Sequence, residues 1–292
     1  MNTVAARYTS LIDPEALRGL MNRGESPCVL LDASFDLADP GAGERAYLDA
    51  HLPGALHVHL DRDLCGAKTG RNGRHPLPDR AVFAATVGRL GVAPATQVVV
   101  YDRQGAMFAA RLWWMLRWLG HASVAVLDGG FAAWQAAGGA VESGAVDGAA
   151  SAQPAYPIAA EETPLTRTVD AATLQSRIGK VALVDARAPE RFRGDVEPLD
   201  PQAGHIPGAR NRFFKDNLGA DGRFKPADEL RAEFVALLGA RPSTEIVHQC
   251  GSGVTACHNL LAMAVAGLDG AALYPGSWSE WSSDPTRPVA RG

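Results

Sequence analysis

An α/β architecture written twice, each copy a mostly parallel sheet flanked by helices, is the fold class this sequence predicts. Three observations lead to it. Short β-branched runs alternate with helical ones, the pattern of parallel α/β units. A set of motifs then recurs in the same order at a nearly constant offset, the signature of duplicated units. Finally, 47% of the 292 residues are hydrophobic and 21% charged, the balance of a chain able to bury a core in each of two domains.

The repeats place the elements. VLLDAS at 29–34 answers ALVDAR at 182–187, and His51-Leu52-Pro53-Gly54-Ala55 answers His205-Ile206-Pro207-Gly208-Ala209. VVVYD at 98–102 answers IVHQC at 246–250, and VLDGGFAAW at 126–134 answers ALYPGSWSEW at 272–281. Asp13-Pro14-Glu15 reads as an N-cap followed by proline at the first helical position, with the N-terminal stretch around it read as an amphipathic helix. VVVYD leads into the helical run MFAARLWWMLRWLG and then the strand ASVAVLD. The small, polar, proline-containing stretch 143–165 reads as a linker. The expected organisation is therefore a first domain over 1–142, the linker over 143–165 and a second domain over 166–292.

A net charge of −4 supplies no global positive field, so neither nucleic acid nor an anionic membrane is an expected partner. The longest apolar runs fall short of the roughly 18 residues of a spanning helix. No secretory leader is expected, because the N-terminus lacks an apolar h-region. Cys28, Cys65, Cys250 and Cys257 are few and irregularly spaced. That fits free thiols in a reducing compartment, and a cytoplasmic location is expected.

The chemistry concentrates in CGSGVTA at 250–256, a thiol where a strand ends and a helix begins. Ligand sites of parallel sheets form outside such strand ends. Four readings compete with sulfur chemistry there or qualify it. Cys250 as a core filler is the plainest, and Cys28 and Cys257 read that way. However, Gly251 and Gly253 let successive N–H groups of Gly251, Ser252, Gly253, Val254 and Thr255 curl around one centre, and the next helix adds positive charge. Both favour a thiolate nucleophile. Gly251-Ser-Gly253-Val-Thr-Ala256 matches a dinucleotide fingerprint, but Tyr274-Pro275 stands where the ribose-binding acid belongs. A cysteine phosphatase would need an arginine where Ala256 stands. His248, Cys250, Cys257 and His258 lack paired zinc spacing, so no metal is expected. Asp102 occupies the place of Cys250 in the first half, so one copy alone has the nucleophile. A loop of N–H groups without a cationic side chain suits a persulfide.

These residues resemble the two-domain sulfurtransferases of the rhodanese superfamily, in Asp185-Ala186-Arg187, RFRG at 191–194, GHIPGA at 204–209, CGSGVTA and GSWSEW at 276–281. In the first half, HLPGA, Tyr101-Asp102, RLWW at 111–114 and LDGGF with its following tryptophan match as well. The resemblance covers essentially the whole chain. It implies two rhodanese-like domains, the first inactive, and one active site between them around Cys250, with no metal or organic cofactor.

Within that superfamily, CGSGVTA resembles the 3-mercaptopyruvate type, whereas the thiosulfate type has basic residues after the cysteine. From spacing alone His75 reads as a loop histidine and Asp61 as a turn residue. The resemblance instead implies a relay of Ser252, His75 and Asp61, and makes Arg191 the arginine for a substrate carboxylate. A second arginine is expected downstream, where Asp200 stands. The implied activity moves a sulfane sulfur from mercaptopyruvate through a Cys250 persulfide to a thiol acceptor such as thioredoxin or a small thiol. Thiosulfate turnover, and a persulfide carrier without a small donor, are the alternatives. His51 and His205 recur in both halves and so read as structural, as do Asp32 and Asp185. Trp113, Trp114 and Trp134 read as packing.

Overall fold

The computed structural model describes residues 8–23, 27–146, 154–158, 164–239 and 241–292. By their internal contacts the residues form two units, Met1–Leu64 with Pro78–Leu165, and Cys65–Leu77 with Thr166–Gly292.

In the first unit run β1 (Leu11–Ile12), α1 (Pro14–Arg23), β2 (Cys28–Asp32), α2 (Ala42–Asp49), β3 (Leu56–His57), α3 (Leu60–Asp63) and α4 (Arg80–Arg89). They are followed by β4 (Gln97–Tyr101), α5 (Ala109–Trp118), β5 (Val124–Leu127) and α6 (Gly130–Ala136). All strands pair in parallel in the order β1-β5-β4-β2-β3. Every residue of β4 and β5 is buried. That is why these runs are continuously apolar instead of alternating: helices cover both faces of a parallel sheet. One core packs Leu17, Leu20 and Leu30 against Val99, Tyr101, Phe131 and Trp134.

The second unit repeats the plan with β6 (Arg167–Thr168), α7 (Ala171–Ser176), β7 (Ala182–Asp185), α8 (Pro189–Arg193), β8 (Ala209–Asn211), α9 (Ala227–Leu238), β9 (Ile246–Gln249), α10 (Thr255–Val265), β10 (Ala272–Leu273) and α11 (Ser277–Trp281). Its strand order, β6-β10-β9-β7-β8, is the first sheet's order carried over strand for strand, and again wholly parallel. Its core joins Leu174, Leu183 and Val247 to Tyr274, Trp278 and Trp281.

Three details differ from the sequence reading. Leu11 and Ile12 are not helical but pair with Val126 and Leu127, because their backbone groups complete the sheet edge. The helix starts where the cap was expected, with Ala16 N–H donating to Asp13 Oδ1 at 2.8 Å; residues 1–7 lie outside the described residues. Part of the 143–165 stretch packs on the first unit. Tyr156 is buried, its N–H donates to the Ala84 carbonyl at 2.9 Å, and its hydroxyl pairs with His121 at 3.1 Å. Gly88 permits this approach, since a Cβ there would lie 2.2 Å from the Pro154 carbonyl oxygen. Residues 147–153 and 159–163 of that stretch lie outside the described residues.

The third difference matters most for the site: residues 65–77, counted by sequence with the first domain, group with the second unit. A Cβ on Gly73 would come within 2.8 Å of the Gly276 carbonyl, and Arg74 N–H donates to Ser279 Oγ at 3.1 Å.

Candidate active site

Cys250 follows β9, the central strand of the second sheet, and is 1% exposed. The loop turns back on it. Gly253, at φ +77°, brings its N–H to 3.2 Å from Cys250 Sγ, and α10 begins two residues later. Only glycine fits at 253, since a Cβ would stand 2.3 Å from the Pro275 carbonyl oxygen. From below, Ser277 Oγ accepts the Cys250 N–H at 3.1 Å and donates to the Tyr274 carbonyl at 2.9 Å. Ser277 holds this position at φ +53°, a strained conformation for a residue with a side chain. Trp278 and Ser279 N–H donate to the carbonyls of Cys250 and Gly251, both at 2.9 Å. The thiol thus sits in a loop clamped to α11, at the positive end of α10.

Arginines converge beside it. Arg191 lies in α8, and a Cβ on Gly251 would be 3.4 Å from its Nη1 and 2.9 Å from Nη2 of Arg74. Sequence reasoning missed Arg74 because nothing local marks it: it is 126 residues from its ion-pair partner, Asp200. Asp200, where a second arginine was expected, is a buried counter-ion. Its Oδ1 accepts Arg74 Nη1, and its Oδ2 accepts Arg191 Nη2 at 3.1 Å. Glu197 continues the chain, with Oε1 at 2.6 Å from Arg191 Nη2 and Oε2 at 3.3 Å from Arg187 Nη1. Arg187 ends it on Asp185 at 2.7 Å and stacks over Trp278 at 4.7 Å.

Burial opposes the Arg187 charge, yet Asp185 and Glu197 overcome it and hold the guanidinium above its ordinary value. Burial pushes the Asp200 carboxyl up, with Arg74 and Arg191 opposing. The edges that face Gly251, Arg74 Nη2 and Arg191 Nη1, are not the nitrogens that Asp200 and Glu197 hold. Arg191 Nε is buried with no hydrogen-bond partner. Two guanidinium edges beside a thiol can seat a carboxylate.

Ser252 Oγ lies 2.7 Å from His75 Nδ1, and both residues are buried. The structure therefore brings together Cys250, Ser252, His75 and the Gly251–Thr255 loop, with Arg191 alongside. Asp61 belongs to the first unit, in α3, where its N–H donates to the capping His59 Nδ1 at 3.2 Å.

Other histidines and cysteines have structural settings. His51 Nδ1 pairs with the Tyr47 carbonyl at 2.9 Å and stacks on Tyr47; His205 Nδ1 pairs with the Phe192 carbonyl at 2.8 Å and stacks on Phe192. Asp32 and Asp185 each accept the N–H two residues on, from Ser34 at 2.8 Å and from Arg187 at 2.9 Å. His248 meets Met263 Sδ at 2.9 Å, while His258 stacks on Phe224 from α10. Cys257 donates to the Gly253 carbonyl at 3.3 Å, and burial pushes the Cys28 thiol up to about 11. Among the described residues, no group of three or more His, Cys, Asp or Glu could hold a metal ion, and no helix is long and apolar enough to cross a membrane.

Comparison with known proteins gives this arrangement a family. The rhodanese-like domain matches residues 13–137 and 170–284. A Pseudomonas aeruginosa protein named "Probable 3-mercaptopyruvate sulfurtransferase" is 50% identical over 272 residues, 92% of this chain and 94% of that one. The Gallus gallus thiosulfate sulfurtransferase is 36% identical over 260 residues, 86% and 85% of the two chains. Among solved structures, the Escherichia coli 3-mercaptopyruvate sulfotransferase SseA superimposes with a TM-score of 0.74 at 32% identity, over 94% of this chain and all of that one. Two copies of one parallel α/β plan, one of them with a thiol in its loop, thus make this chain a member of the rhodanese superfamily of two-domain sulfurtransferases.

Proposed function

We propose that this sulfurtransferase takes a sulfur atom from 3-mercaptopyruvate, holds it as a persulfide on Cys250 and passes it to a thiol. The observation that carries the reading is the convergence of Arg74 Nη2 and Arg191 Nη1 on Gly251, next to the buried thiol. A 2-oxo acid with a sulfur on the third carbon has its carboxylate and its sulfur at the two ends this arrangement separates. The name of the 50% identical relative agrees with it.

In the first step the Cys250 thiolate attacks the donor sulfur, and an S–S bond forms as the C–S bond breaks. The C–S electron pair goes to the pyruvate enolate. Ser252, hydrogen-bonded to His75, supplies a proton to the enolate carbon and regains one from the S–H of the transferred sulfur, which leaves the persulfide anionic as pyruvate departs. The N–H groups of Gly251 to Thr255, with the N-terminus of α10, hold the anionic persulfide. In the second step an acceptor thiolate attacks the outer sulfur and frees the Cys250 thiolate. Thioredoxin or a small thiol is the proposed acceptor; cyanide, yielding thiocyanate, serves in the test tube. No cofactor enters either step.

The same reading makes residues 166–292 the catalytic domain and 1–142 its inactive copy, joined through 143–165. It places the protein in the cytoplasm, in keeping with cysteines that are few and irregularly spaced. Thiosulfate is the second donor to consider, because two guanidiniums also suit a sulfonate and a 36% identical relative is named for it. Steady-state transfer to cyanide from each donor in parallel tests the choice. We expect kcat/KM to favour mercaptopyruvate, and replacement His75→Ala to lower its kcat by about 10²-fold or more. A preference for thiosulfate would remove the relay from the mechanism. Single-turnover persulfidation without steady-state turnover of either donor would point instead to a carrier.

A further inference from the structure

We propose that Asp200 sets the charge preference of the donor pocket, holding Arg74 and Arg191 as one fork while cancelling charge that would otherwise attract dianions. The inference rests on the donor reading above and adds to it the residue that separates a singly charged donor from a doubly charged one.

Asp200 is buried to 2% side-chain exposure and uses each oxygen on a different guanidinium. In doing so it ties together two arginines from separate segments, residues 65–77 and α8. Each keeps another nitrogen toward Gly251. The pair is therefore preorganised for one incoming anion, and none of the fork has to be assembled on binding. Glu197 fixes Asp200 in turn, because its Oε1 accepts the Asp200 N–H at 3.2 Å and the Leu199 N–H at 3.1 Å. Pro198 and Pro201 flank Asp200 and restrict the loop that carries it.

The charges along this chain alternate and cancel. Arg74, Arg191 and Arg187 face Asp200, Glu197 and Asp185. With the Cys250 thiolate added, the pocket carries one net negative charge. A monoanion such as mercaptopyruvate can use the directed N–H groups at small electrostatic cost. A dianion such as thiosulfate meets the same geometry with twice the repulsion. An arginine at position 200 would reverse this balance by two charges, and a neutral side chain by one.

The test compares Asp200→Asn, nearly equal in shape but neutral, with the wild-type enzyme. Removing one charge a few ångströms from the bound anion should raise the ratio of kcat/KM for thiosulfate over mercaptopyruvate by about tenfold. Mercaptopyruvate should lose in KM more than in kcat. Asp200→Glu, which keeps the charge, should stay near the wild-type ratio. An unchanged ratio in a folded Asp200→Asn protein overturns the inference.

Calorimetric binding of pyruvate and of sulfate to the wild-type protein supplies a readout that needs neither turnover nor a variant. Pyruvate should bind more tightly, and sulfate the more tightly of the two overturns the charge assignment. Failure of the wild type to turn over mercaptopyruvate, with pyruvate still preferred over sulfate, would sink the donor reading and leave the role of Asp200 standing.

Discussion

The loops after β4 and β9 are the same piece of backbone put to two uses. Each closes a buried central strand, turns at a glycine with positive φ, at Gly105 (+66°) and Gly253 (+77°), and runs into a helix. Each strand-end carbonyl accepts an N–H from the following motif, Phe131 to Asp102 at 3.0 Å and Trp278 to Cys250 at 2.9 Å. Even the left-handed residue beneath the loop recurs, as Gly130 at +59° and Ser277 at +53°.

What differs is the anion. In the first unit Asp102 fills the nest with its own carboxylate. Oδ1 accepts the N–H groups of Gln104 and Ala106, and Oδ2 those of Phe108 and Ala109, at 2.8–2.9 Å. Burial raises the Asp102 carboxyl above its ordinary range, with those four donors opposing. In the second unit a thiol takes this place and receives one such contact, from Gly253. A loop whose N–H groups are already taken by a built-in carboxyl is finished as structure; a loop with a thiol can accept an anion made during reaction.

The comparison breaks most directly on exchange of the two side chains. Cys250→Ser should abolish transfer with melting unchanged, since the hydroxyl is a poor nucleophile of similar size. Asp102→Asn should leave the specific activity of the folded enzyme near wild type but destabilise the first unit by about 3 kcal/mol, because an amide presents its NH₂ to N–H donors. Activity assays and denaturant unfolding check both; loss of stability in the first variant or of catalysis in the second would erase the division of labour.

A smaller effect separates the two glycines. Gly253→Ala forces a Cβ against the Pro275 carbonyl oxygen and should cut transfer sharply. Gly105→Ala should cost about 1–2 kcal/mol of stability, the ordinary penalty of a left-handed alanine, with little loss of turnover.

A pH dependence of stability arises in the second sheet. Burial of His248 in β9 lowers its pKa from 6.5 to about 3. Between those values the unfolded chain binds a proton that the native state refuses, so acid favours unfolding. Stability is therefore complete above pH 6.5 and falls toward pH 3, by up to about 1.4 kcal/mol per unit from this group. Thermal melts of wild type and His248→Leu across pH 4–7 should differ in slope by that amount, the variant being flatter. Equal slopes would mean that His248 titrates freely.

Much of the site was legible because it is local. A thiol between a β-branched strand and a helix, with glycines at 251 and 253, announces its geometry within seven residues. The duplicated motifs likewise implied two copies of one plan, since repeats with equal spacing fold to equal sheets; the strand order itself came from the structure. Ser252 and His75 were within reach only through the family resemblance, because the pair is 177 residues apart in sequence. Arg74 was beyond even that, having no motif of its own. Asp200 was read as a missing arginine, whereas its burial between two guanidiniums makes it the group that orders them.

The sequence by itself determined the two α/β copies, the turn at Cys250 and the absence of a nucleophile from the first copy, because strand patterning and glycine-dependent turns are decided over a few neighbouring residues. Tertiary structure alone decided that residues 65–77 group with the second unit, that Arg74 joins Arg191 beside Gly251, and that six charges alternate beside the thiol. Electrostatic pairing depends on distances in space, and distant segments of the chain acquire those only when both are packed.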